Sequence, residues 1–333
     1  MKYLGRIAAF IGLLAAIWLF WRENPRFVLA LLRRAGPGLA LVAVIHILPM
    51  LANAKDWQSL IRDRKRPGLR GMLYLVWIRE SVNNLLPVAR IGGEVEAYRV
   101  MRHRGMRAGS IIASLVVDTQ LTLISQVLLT LVGIGYLLTR SGSGSMHLAG
   151  DLTWGVVALT PILILFSLVQ KVRPFERMTR FLNKVTSGKL AKLSNESAEI
   201  DREMKATWRE TGVIVRYLFV WQNLQSLGTA AELWIALRLM HAPISLWAAF
   251  VFDALLQALS SAAFFVPGNI GLQEGGFVLI GSAFGLNPAT ALALAGSRRI
   301  RDLLVFVPGL VACQHAESVI GRGRPKHEGS HAG

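Results

Sequence analysis

From Ala108 to Leu138 the chain runs 31 residues with a single charge, Asp118. About 20 apolar residues suffice to cross the ~30 Å hydrocarbon layer of a bilayer as a helix. Hydrocarbon offers backbone groups no water, so a segment of this kind must pair its own N–H and C=O groups and is helical. Similar apolar runs lie at Met1–Trp21, Pro37–Ala54, Leu152–Gln170, Val213–Leu239, Ile244–Val266 and Ala289–Cys313. Bulky Phe20, Trp21 and Arg22 occupy the place of a small-residue cleavage site, so the first run reads as an uncleaved span and not a signal peptide. With 53% apolar and 17% charged residues in 333, the only long stretch free of spans is 171–210. That leaves no room for a large soluble catalytic domain. The single Cys313 excludes an intrachain disulfide and a cysteine-cluster metal site.

Two of the apolar runs are broken in the same way. One reads Val266-Pro267-Gly268-Asn269-Ile270-Gly271-Leu272-Gln273-Glu274-Gly275-Gly276 and the other Asn83-Asn84-Leu85-Leu86-Pro87-Val88-Ala89-Arg90-Ile91-Gly92-Gly93-Glu94. Pro and Gly stop helices. Subtracting 180 places Pro267 on Pro87, Glu274 on Glu94, Gly285 on Gly105 and Ala293 on Ala113, with Arg298 on Asp118. Paired interrupted segments in two halves of a membrane protein point to a transporter's substrate site. The breaks are therefore expected to be apices of re-entrant hairpins. Pro87, Gly92, Gly93, Pro267, Gly268 and Gly271 would shape them, the glycines by allowing close backbone approach.

Charge sets the expected topology. Lys and Arg number 37 against 20 acids, a net +17. In a soluble chain that balance would suggest nucleic acid. Here the excess sits in loops: 55–70 carries six basic and two acidic residues, and 171–210 ten basic and six acidic. Lipid headgroups and the positive-inside rule account for it, so membrane lipids are the expected partner and nucleic acid is not. Placing these loops and both termini in the cytoplasm gives an all-α polytopic membrane protein. It has about six full transmembrane helices plus two re-entrant helical hairpins in inverted repeats, near 73–138 and 250–313. The basic 22–36 segment falls on the wrong side in this scheme. Residues 1–315 form one domain, and 316–333 are expected to be a disordered tail.

Charges inside the apolar runs are candidates for function, because each costs at least about 2.5–3.5 kcal/mol at mid-bilayer unless it faces a cavity or partner. They are Glu94, Asp118, Glu232, Asp253, Glu274, Arg298, Arg299, Arg301 and Asp302. Arg298 and Asp302, four apart, are expected to pair, as are Arg90 and Glu94; Arg301 is placed to reach Glu274. A headgroup cavity is expected from Asn84, Arg90, Glu94, Asp118, Asn269, Glu274, Arg298, Arg301 and Asp302. Free N–H groups at the two hairpin helix starts would favour phosphate. His46 reads as a hydrogen-bonded core residue. No HExxH, GxSxG, Walker A or Cys/His pattern is present, so neither a catalytic centre, a metal nor a cofactor is expected.

The two broken motifs, with Arg298-Arg299-Ile300-Arg301-Asp302, resemble the flippase-like transmembrane domain of the lysylphosphatidylglycerol synthase superfamily, over about residues 5–315. The nearest likeness is to its stand-alone members associated with hopanoid biosynthesis. Glu94 stands where many members carry Asp. The resemblance implies a bacterial inner-membrane protein that moves a polar or anionic lipid between leaflets. A non-transporting scaffold of lipid-biosynthesis enzymes is the alternative. Two-domain relatives carry an aminoacyl-transferase after these spans; the chain ends soon after Cys313, so that activity is expected to be absent.

Overall fold

A computed structural model describes residues 25–86, 92–139, 150, 191–262 and 271–322. Every element among them is a helix: α1 (Pro25–Ala35), α2 (Gly38–Ile45), α3 (Ile47–Leu60), α4 (Leu69–Leu85), α5 (Gly92–His103), α6 (Ala108–Leu138), α7 (Ala191–Arg209), α8 (Thr211–Arg216), a π-helical turn (Tyr217–Trp221), α9 (Gln222–Leu239), α10 (Leu246–Ala262), α11 (Leu272–Ala283) and α12 (Pro288–Arg322). By length and composition three described helices can cross a membrane: Gly38–Leu60, which joins α2 and α3, Ala108–Leu138 and Pro288–Ile320. Leu246–Ser260 is apolar but shorter. Of the other expected spans, Met1–Trp21 and Leu152–Gln170 lie outside the described residues. The Val213–Leu239 run is present as α8, the π turn and α9 in sequence.

The 180-residue spacing recurs in the element bounds. α5 begins at Gly92 and α11 at Leu272, both 12 residues long; α6 begins at Ala108 and α12 at Pro288. The turns between them match as well. Gly105 has φ 79° and Gly285 φ 78°, a left-handed conformation that favours glycine at a helix C-terminus. In each turn the glycine N–H donates three residues back, and the next N–H donates to Met101 or Gly281 five residues back.

The two units interlock. α4 packs along α12, and α10 along α6. A glycine on the long helix permits each crossing: a Cβ at Gly309 would overlap Ser81 Oγ, and one at Gly133 would press into the Leu255 side chain. Small residues at crossings let apolar helices approach where lipid supplies no hydrophobic drive. At the α4–α12 crossing, Trp77 donates to the Val305 carbonyl at 2.7 Å and Tyr74 to that of Ala312 at 3.0 Å. Outward-facing Leu128, Leu131 and Val132 of α6 and Leu303, Leu304, Val307 and Val311 of α12 are exposed, as a lipid-facing surface requires.

α11 starts at Leu272, so Glu274 falls in its first turn. Two expected boundaries move. α4 starts at Leu69, ahead of the expected Leu73. α12 runs on to Arg322, so 316–322 is helix where a disordered tail was expected. Ala316 and Ile320 pack on the apolar cluster of α4 and α5, and Glu317 pairs with Arg99 at 2.6 Å. These contacts extend the helix past its apolar run.

Candidate functional site

The helix Gly38–Leu60 is interrupted at His46, and Pro49 supplies the reason. Proline has no N–H to donate to the Ile45 carbonyl and its ring crowds that oxygen. The kink turns His46 inward, where Nδ1 lies 2.8 Å from Glu232 Oε1 of α9. α9 can come this close because Gly228 sits on Pro49; a Cβ there would be 2.8 Å from Pro49 Cδ.

His46 borders a polar cavity of about 170 Å³. Glu80 and Asn84 of α4 line it, with Gln126 of α6, Gln225 and Thr229 of α9, Gln257 and Ser260 of α10, Gln273 of α11, and Arg298, Arg299, Arg301, Asp302 and Phe306 of α12. Thus both interlocked units contribute. The arginines are held by carboxylates from different helices. Arg298 pairs with Asp253 at 3.2 Å, and Asp253 also accepts from Thr229 and Gln257. Arg299 pairs with Glu274 at 3.1 Å. Arg301 donates to both Glu232 and Asp302. Removing one partner from such a buried pair leaves an uncompensated charge and costs about 3–5 kcal/mol.

A second polar cluster lies beside the first. Arg79 of α4 donates to Asp118 of α6 and to Asn53 of α3, each at 2.8 Å, and stacks over Trp57. Asp118 also accepts from the Tyr217 hydroxyl at 2.7 Å. Tyr217 opens the π-helical turn, a local widening that often marks a functional site. Asn53 joins the clusters, since its amide also donates to Glu80 at 2.9 Å.

These contacts redistribute the expected pairs. Arg298 takes Asp253 in place of Asp302, and Glu274 takes Arg299 in place of Arg301. One turn of α12 separates residues four apart, but the facing helices α10, α9 and α11 offer carboxylates nearer each guanidinium. Asn84 lines the cavity and donates back to the Glu80 carbonyl. Asp118 belongs to the Arg79 cluster and is not among the lining residues. Glu94 accepts from Asn83, whose carbonyl takes the Gly93 N–H at 2.9 Å; Gly92 opens the same helix. Glu274 caps its own helix by accepting the Gly271 N–H at 2.7 Å, and Gly271 has φ 80°. The N–H groups expected to be free for phosphate at Gly93 and Gly271 are therefore already bonded. Pro87, Arg90, Pro267, Gly268 and Asn269 lie outside the described residues, so the Arg90–Glu94 pair does too.

The search for charge in apolar runs picks out Glu232, Asp253 and Arg299 but not their places. Glu80, His46 and Asn53 carry little sequence signal. Glu80 sits among other polar residues on α4, and His46 and Asn53 gain meaning only from what they face.

His46 and Phe306 make an edge-on ring contact 5.5 Å apart, and an apolar groove of about 490 Å³ opens between α2, α3, α4 and α12. Ile47, Met50, Leu73, Trp77, Val305 and Pro308 line it, with Arg70 at its rim. Residues 6–309 match the family model of the lysylphosphatidylglycerol synthase TM region, and the chain belongs to that family of membrane proteins. No curated protein matches the chain, and no solved structure does.

Proposed function

We propose, from membership of that family as the premise, that the protein is a lipid translocase that passes a polar headgroup through the cavity between its two units. The observation that carries the proposal is a charged cavity lined by His46 and Phe306 together with an apolar groove lined by their chain neighbours Ile47 and Val305. An amphipathic molecule fits that pairing, with its head among the arginines and amides and its chain along the groove. Arg298 and Arg299 are the arginines to meet a phosphate, because their side chains are 19% and 31% exposed while that of Arg301 is 7% exposed.

The matching starts of α5 with α11 and α6 with α12, after α4 and α10 of equal length, support two inverted repeats, each with a re-entrant break, and six full spans. The reciprocal packing of α4 on α12 and α10 on α6 gives two bodies able to rock about the cavity, as alternating access requires. The basic loops favour a bacterial inner membrane with both termini cytoplasmic. The lipid is polar or anionic, and hopanoids are one class to test. The chain would relocate its lipid without altering it chemically.

The test is leaflet accessibility of labelled phosphatidylglycerol, aminoacylated lipid and hopanoid in liposomes holding the purified protein. Exchange should be faster than in empty liposomes. Arg298→Ala should abolish the acceleration; it leaves Asp253 with Thr229 and Gln257 as donors, and folding of the variant is checked by its thermal unfolding beside wild type. No acceleration with any of the three lipids would sink the translocase, and co-purification with a lipid-modifying enzyme would then favour the scaffold.

A further inference from the structure

The hydrogen-bonding of His46 leaves a slot for a proton. Nδ1 lies 2.8 Å from Glu232 Oε1. At that distance two lone pairs repel, so the hydrogen of the neutral ring belongs on Nδ1. Nε2 then presents a bare lone pair. It is buried without a hydrogen-bond partner, and the group it faces is Glu80 Oε2 at 3.8 Å. Glu80 is an acceptor too. Two acceptors confront each other on the cavity wall, and Asn53, donating to Oε1, fixes the carboxylate in that position.

The charge balance around the cavity points the same way. Three guanidiniums, Arg298, Arg299 and Arg301, stand among five carboxylates, Glu80, Glu232, Asp253, Glu274 and Asp302. Four of the five are within 4 Å of an arginine. Among the described residues Glu80 has only His46 as an ionisable partner within that distance. A ring lone pair facing a carboxylate on the cavity wall leaves a place that a proton on the ring would fill.

We infer that His46 and Glu80 form a proton-binding site on the cavity wall, the added proton sitting on Nε2 and drawn there by the carboxylate it faces. The groups that set its affinity are Glu80 and Arg79 on α4, Arg79 acting on Glu80 from beside their shared partner Asn53, Glu232 on α9, and Arg298, Arg299, Arg301 and Asp302 on α12. Arg301 is the strongest opponent, with Nη1 3.3 Å from Nδ1; Glu232 and Glu80 act in favour. Uptake makes the cavity more positive by one charge. Joined to the translocase proposed above, the site links headgroup binding to the transmembrane pH difference, although proton binding itself stands without any lipid movement.

The experiment is a pH titration of the full chain in lipid nanodiscs, with ¹⁵N-histidine read by NMR and His46→Gln used to identify the His46 signals. His46 should pass from neutral ring to imidazolium within about pH 5–8, the range in which histidine titrates. Glu80→Gln should lower the midpoint by at least about one pH unit, a tenfold loss of proton affinity. Glu80→Asp, which keeps the charge, should move it less and serves as the variant if Glu80→Gln does not fold. A His46 ring fixed in one state across the wild-type titration would overturn the site. A midpoint unmoved by Glu80→Gln would remove Glu80 from it.

Discussion

Replacing Arg79 by Met should show whether the second polar cluster is a desolvated unit. Arg79 and Asp118 are 2.8 Å apart, with side chains 9% and 10% exposed. Loss of the guanidinium leaves Asp118 with the Tyr217 hydroxyl and leaves Asn53 without a donor at its carbonyl. A buried ion pair broken on one side costs about 3–5 kcal/mol, mostly from the stranded charge. Arg79→Met is therefore expected to lose that much. Asp118→Leu should lose a similar amount, as Arg79 would keep Asn53 and the face of Trp57 as its direct contacts among the described residues. The double variant strands neither member of the pair, and exchange of a buried pair for apolar residues is often neutral. It should lose far less than the roughly 6–10 kcal/mol sum of the singles, so the coupling energy should be at least about 2–3 kcal/mol. The assay is reversible unfolding in mixed micelles, run on all four corners of the cycle. Singles that add to within about 0.5 kcal/mol would refute the reasoning, because they would mean that water already screens the pair.

Gly93→Ala should destabilise by about 1–3 kcal/mol or prevent folding, as overpacking does, because its Cβ would overlap the Arg79 carbonyl oxygen and press on Asn83; thermal unfolding in detergent reads this. Gly271→Ala should cost about 1–2 kcal/mol from the left-handed conformation alone, measured the same way. Outside the spans, burial favours the neutral form of Asp63, but the N–H groups of Arg107 and Lys65 and the Arg107 guanidinium outweigh it and hold the carboxyl below its ordinary range. A carboxylate lowered on folding stabilises above its ordinary titration, and the effect fades as pH falls through the lowered value. Asp63→Asn should thus be less stable than wild type at neutral pH, with the gap closing below about pH 4; parallel unfolding curves across pH would show it, and a constant gap would count against the assignment.

Much of the framework is legible in the sequence because its causes are local. Apolar length reports the crossing helices at Ala108–Leu138 and Pro288–Ile320. The 180-residue spacing is visible as Gly105 and Gly285, whose turns need a left-handed residue wherever the helix before them ends. Charge in an apolar run singles out Glu232, Asp253, Arg299 and Arg301 without help from the fold. Partner choice is another matter. On helix spacing alone Arg298 belongs with Asp302, yet it meets Asp253, 45 residues away in sequence, because α10 presents that carboxylate across the interface.

The sequence by itself determined a helical membrane chain with charges that must be kept from lipid. Those properties follow from transfer free energy and backbone hydrogen bonding, which act residue by residue along the chain. Only the tertiary structure decided that His46, at a kink made by Pro49, would stand between Glu232 and Glu80, and that Asn53 would tie two clusters together. Hydrogen bonds and ion pairs act within a few ångströms and depend on orientation. Which groups reach that range is settled by how the glycine-lined crossings seat one helix on another.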